Sequence, residues 1–173
     1  MILHPKQAQS FLRIYKALLQ FIFYQEFEAE IDTSDDYRDA RDLLFADSSL
    51  IDKFTSVADE LTGSDEEILE NVREGVKDTF VYLKTLKDYS LFMSDSTGTF
   101  YCVLGVTNSI KELAPGTFSL IETVLLNFED VIICDGLISH HNMSIGPNMR
   151  RDISAQYKLA KENKELKQHL TSG

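Results

Sequence analysis

The chain contains no tryptophan, only two cysteines and only three prolines among 173 residues. Without tryptophan, the 11 phenylalanines and 7 tyrosines must supply the bulky core contacts. Cys102 and Cys134 lie far apart and form no CxxC, which excludes a disulfide framework and a zinc ribbon. Two buried free thiols fit a reducing compartment, so a cytoplasmic location is expected. Long apolar runs are also missing. The most apolar early stretch, residues 18–24, is interrupted by Gln20 and ended by Gln25, far short of the ~20 residues a spanning helix needs. Pro5, Lys6, Gln7 and Gln9 interrupt the first residues and no small-residue cleavage site follows, so no signal peptide is expected.

Basic residues are scarce: 17 Lys and Arg against 28 Asp and Glu give a net charge of −11. The deficit is local. Residues 26–78 hold 18 acids and 5 bases, a balance of 5 − 18 = −13. Residues 79–173 hold 9 bases and 10 acids and are nearly neutral. Such a surface repels nucleic-acid phosphate and anionic lipid. It suits a basic protein partner or self-association, with no nucleic acid and no membrane. A solvated face that keeps the chain soluble is the simpler alternative.

What remains is ordinary globular composition, 43% hydrophobic and 26% charged. A chain of this length buries ~70% of the surface its unfolded form exposes, so no metal or disulfide staple is required. The hydrophobic pattern predicts a helix over residues 5–27, with Phe11, Ile14, Tyr15, Leu18, Leu19 and Ile22 at three- and four-residue steps. A second helix is expected to about Ala46 and a third from Ser48 or Ser49 to about Leu61. Ser64 and Glu67 have capping-box spacing for a fourth helix reaching about Thr85. The period then drops toward 2. Residues 89–95, 99–107, 118–128 and 131–138 read as strands, with a helical turn over 110–114. A last helix is expected from Asn148 or Asp152 to about Leu170. The fold class is therefore α+β: about four N-terminal helices, a four-stranded antiparallel meander and a long C-terminal helix. One domain over 1–173 is expected, with a helical half to residue 87 and a sheet half from residue 88.

Leu126-Asn127-Phe128, the run Val131 to Ile138 ending in Asp135-Gly136-Leu137, and then Asn142, Gly146, Arg150 and Tyr157 resemble a segment found in uncharacterised bacterial proteins. The resemblance covers about a fifth of the chain and implies a hairpin followed by a helix. Some members of that group carry a Cys- and His-rich SEC-C metal motif. This chain lacks it, and the resemblance implies no activity.

The candidate catalytic residues are Glu122 and Asp135, each set among apolar neighbours on adjacent predicted strands. A two-residue turn sets Val124 opposite Asp135; a four-residue turn sets Glu122 there. Either register is expected to hold both carboxylates on one face, ~5–8 Å apart. Mutual repulsion and burial would then raise at least one pKa, as a general acid requires. His140, Arg150 and Arg151 are the candidate ligand-binding residues. Arginine in the first turn of a helix opposes the helix dipole, so an acidic partner is expected, with Asp135 as the nearest in sequence. His140-His141 has no HxxxH or HEXXH spacing, and no GxSxG, Walker or GxGxxG pattern occurs. No metal and no cofactor is therefore expected. Two functions fit: a non-catalytic protein-interaction or regulatory module, or a hydrolase using Glu122 and Asp135.

Overall fold

A computed structural model describes residues 1–170. The chain divides into two compact units, residues 4–74 and residues 1–3 with 75–173. Among the described residues there are six helices and six strands, a mixed α+β architecture.

The first unit is helical. Helix α1 (Pro5–Phe27) starts with Pro5 in its first turn and a capping box between His4 and Gln7. Its buried residues include Phe11, Ile14, Leu18 and Ile22, the stripe that the spacing predicts. Helices α2 (Ser34–Ala46), α3 (Ser49–Val57) and α4 (Gly63–Arg73) pack against α1. The rings of Phe21 and Phe54 meet at 5.6 Å between α1 and α3. Arg73 ties α4 to α3 through Asp52 at 2.6 Å, and also holds Glu70 at 3.1 Å. The box that opens α4 uses Thr62 and Asp65, two residues earlier than the expected Ser64 and Glu67. Asp65 is buried and also pairs with Arg13 of α1. Burial pushes its carboxyl up, but the Thr62 amide and hydroxyl and the Arg13 guanidinium outweigh that and hold its pKa below the ordinary value.

The second unit corrects the expected meander. Residues 76–85 form strand β1 (Val76–Thr85), not the end of the fourth helix. Val76, Phe80 and Leu83 mimic a helical stripe, but the run Val76 to Tyr82 is rich in β-branched and aromatic residues. Strands β2 (Ser90–Ser94), β3 (Phe100–Leu104), β4 (Ser119–Phe128) and β5 (Val131–Cys134) follow, with the short helix α5 (Ile110–Leu113) between β3 and β4. Strand β6 (Ser139–Ser144) occupies a stretch expected to be a loop. Helix α6 (Pro147–Glu162) ends well before Leu170.

The pairing is not sequential. β1 pairs antiparallel with β2 and also with β4; β2 pairs with β3, β3 runs parallel to β5, and β5 pairs antiparallel with β4. The order β1-β2-β3-β5-β4 thus returns to β1, and the sheet closes into a five-stranded barrel. The β3–β5 contact is parallel and the other contacts around the barrel are antiparallel. A fold by itself assigns no function.

Strand alternation builds the interior. Phe80, Tyr82, Phe92, Val103, Ile121, Leu125, Ile132 and Cys134 point inward, and Ile110 of α5 joins them. The opposite residues, Val81, Leu83, Leu91, Met93 and Phe100, face Ile153, Tyr157 and Ala160 of α6. The seam between β3 and β5 holds only two residue pairs. Both chain ends reinforce it. Gly105 bonds Met1 and Leu3, and Phe100 and Cys102 bond Lys167. Only glycine fits at 105, because a Cβ there would lie 1.9 Å from the Asn108 carbonyl oxygen. Leu170 enters the barrel core, and its backbone is held at both ends by the Asn127 amide, at 2.8 and 3.1 Å.

Two outcomes follow. Leu170→Ala should lower stability by about 2–3 kcal/mol in urea unfolding; a loss under about 0.5 kcal/mol would mean that the tail does not hold the seam. Asp65 has a lowered folded pKa, so its contribution is complete above the unfolded value near 4 and is lost as pH falls through the folded value. The stability gap between the natural chain and Asp65→Asn should be flat above pH ~5 and shrink below pH ~4.

Candidate functional site

The hairpin between β4 and β5 turns through Glu129 and Asp130, with Glu129 in a left-handed conformation at φ 49°. Phe128 pairs with Val131 and Leu125 with Cys134. This is the two-residue register, and the Asp135 amide continues it to the Val124 carbonyl at 3.1 Å. The chain then breaks at Gly136, which adopts φ 86°, and resumes as β6, again along β4, with Ser139 opposite Glu122.

The break decides where the acids go. The Asp135 carboxylate turns back and accepts hydrogen bonds from the Thr123 hydroxyl at 3.0 Å and from the Leu137 amide at 3.0 Å. Thr123 is fully buried between inward-facing Ile121 and Leu125, and its hydroxyl also meets Cys134 Sγ at 3.2 Å. Glu122, one residue earlier on β4, points to the opposite face, where it pairs with Lys77 of β1 at 3.3 Å. The expected shared face is therefore overturned. The assignment assumed that Asp135 continues the strand alternation, but its side chain caps its own turn instead.

Arg150 does not meet Asp135 either. Its Nε donates to the Ile145 carbonyl at 2.7 Å, and its guanidinium lies 5.6 Å from the Phe118 ring centre. Arg150, His140 and His141 line one surface groove of about 440 Å³, together with Phe118, Met143 and the loop at Pro115–Ser119. Arg151, one residue on, is exposed and not part of that lining. The structure thus sets two of the three ligand-binding candidates, His140 and Arg150, along one groove, while Phe118 and Met143 carried no signal beyond hydrophobicity. The Pro115-Gly116 corner was the one local hint that a loop would stand there.

Both thiols are buried. Cys102 is buried, which pushes its pKa up, against the hydrogen bond from Tyr89. Burial, then Cys102 and Tyr157, push the Tyr89 phenol up to about 12. Among the described residues no group of three His, Cys, Asp or Glu side chains is placed to hold a metal ion.

The separation of the acids has a measurable consequence. Glu122→Gln and Asp135→Asn should change stability additively, within about 0.5 kcal/mol. Thr123→Val, which strips a hydrogen bond from the buried Asp135 carboxylate, should cost about 1–3 kcal/mol. Strong non-additivity in the acid pair, read by urea unfolding at pH 7, would restore a shared site.

No protein-family model, no curated protein and no solved structure matches the chain.

Proposed function

We propose that this protein is a non-catalytic interaction or regulatory module that engages a basic protein segment through its helical unit. The observation that carries this reading is charge placement. Of the 18 acids between Glu26 and Asp78, all are exposed except Asp36, Asp42, Asp65 and Asp78. Glu66 and Glu70 of α4 and Glu74 at its C-cap stand at four-residue steps and are all exposed. Like charges at that spacing cost a few tenths of a kcal/mol per pair in the free helix. A basic partner relieves that cost on binding and is steered to the surface electrostatically. Phosphate and anionic lipid are repelled by the same field. Among the described residues no helix is long and apolar enough to cross a membrane. Self-association is a form of the same reading, since α6 presents Lys158 and Lys161 on an exposed face.

The alternative, a hydrolase using Glu122 and Asp135, needs one substrate position within reach of both carboxylates. Their partners, Lys77 on one side and Thr123 on the other, weigh against it.

The test separates a specific surface from net charge. Replacing Glu66, Glu70 and Glu74 with Gln should change the stability of the free chain by less than about 0.5 kcal/mol, because relief of like-charge repulsion is offset by loss of the Glu70–Arg73 ion pair. The same triple variant should weaken binding of a lysine- and arginine-rich peptide about tenfold in 0.15 M salt. Neutralising Glu129, Asp130 and Asp95, equal in charge but on the sheet unit, should leave binding nearly unchanged. Equal weakening by both triple variants would reduce the surface to a solubility device. Light scattering on the natural chain at low and high salt reports self-association.

A further inference from the structure

We propose that the groove beside Arg150 binds a small organic anion, a carboxylate carried on a ring or short hydrocarbon body. This goes beyond the interaction surface on the helices and uses a different part of the molecule.

Arg150 is held rather than loose. Its Nε is committed to the Ile145 carbonyl at 2.7 Å, which orients the guanidinium plane, and the Phe118 ring lies 5.6 Å from its carbon. No carboxylate among the described residues forms an ion pair with it. In a chain with 28 acidic residues, a fixed arginine without an acid is notable by contrast with Arg13, Arg38, Arg41 and Arg73, each of which holds one. Nor does any carboxylate line the groove: its other polar side chains are Thr117, Ser119, His140, His141 and Asn142. The first turn of α6 likewise carries no acid. The Nη edge of Arg150 thus offers the planar, two-donor geometry that matches a carboxylate.

The remaining wall is apolar. Phe118 and Met143 line it, and Met143 is 67% exposed. A volume of about 440 Å³ lies within the range of small-molecule sites. Phe118 itself adopts φ 57°, a left-handed conformation that costs a bulky residue ~1–2 kcal/mol. It is held there by the hydrogen bond that its backbone N–H donates to the Tyr82 carbonyl at 2.7 Å. That placement keeps the ring at the groove wall beside the guanidinium.

Sodium benzoate is the probe, titrated into the isotopically labelled natural chain with sodium chloride adjusted to constant ionic strength. The proposal expects saturable amide shifts confined to residues 115–119 and 140–151, with half-saturation on the order of 1 mM. Benzyl alcohol, which keeps the ring and loses the charge, should not saturate there. Inorganic phosphate, which keeps a charge and loses the ring, should bind at least about fivefold more weakly. Arg150→Gln should weaken benzoate about tenfold or more, while Arg151→Gln should leave it unchanged. Diffuse or non-saturating shifts overturn the site. So does equal binding by Arg150→Gln, or equal weakening by Arg151→Gln, which would be a bulk charge effect. Phosphate binding as tightly as benzoate overturns the ligand class. Thermal unfolding checks that Arg150→Gln is folded; if it is not, the map on the natural chain with the benzyl alcohol comparison decides the question.

Discussion

The second unit rests on the pairing of β1 with β4. Seven consecutive residue pairs, from Val76 with Leu125 to Tyr82 with Ser119, join two strands separated by β2, β3 and α5 in the chain. The other edge of β4 is taken by β5 and β6, so β4 does not lie beside β3. β5 takes that place in parallel, and the sheet closes. Closure removes open edges along the barrel and gives every strand an inner and an outer face. It also explains why β4 and β5 are apolar on both sides: Ile121 and Leu125 face inward, while Leu120 packs with the cluster under α6.

The weak point of the closure is the parallel seam, and it is strengthened by residues far away in sequence. Met1 and Leu3 secure Gly105; Lys167 pairs with Phe100 and Cys102; Leu170 fills the core beneath. Ending α6 at Glu162 frees the chain for this task. Lys164 turns with φ 59°, and the residues after it run back along β3.

Two polar features follow from the same geometry. Asp135 is buried because the strand must break before β6, and the turn supplies it with an amide and a hydroxyl. Arg150 is fixed because the chain leaving β6 must reverse into α6, and the Ile145 carbonyl anchors it. The first group is an internal brace and the second faces a groove. The molecule therefore carries a broad acidic stretch on its helices and, on its sheet unit, a groove lined by Arg150, His140 and His141 with no carboxylate.

Much of the architecture was legible locally. The stripe of α1, the end of α2 at Ala46, the turn at α5 and the hairpin at Glu129-Asp130 are encoded by neighbours a few residues apart. Periodicity, capping chemistry and turn residues act at that range, so composition and spacing suffice. The pairing of β1 with β4, the inward turn of Asp135 and the threading of Leu170 were not legible. Each depends on residues 30 or more positions apart, or on a strand break whose direction is set by what lies across the sheet. By itself the sequence determined the helical character of the first unit, the acidic stretch and the presence of extended chain after residue 88, but not strand β1 (Val76–Thr85), whose apolar spacing reads as helix. Only the tertiary structure decided which strands meet, which carboxylate is buried and which arginine is left facing a groove. Register and closure are long-range choices, and no local pattern records them.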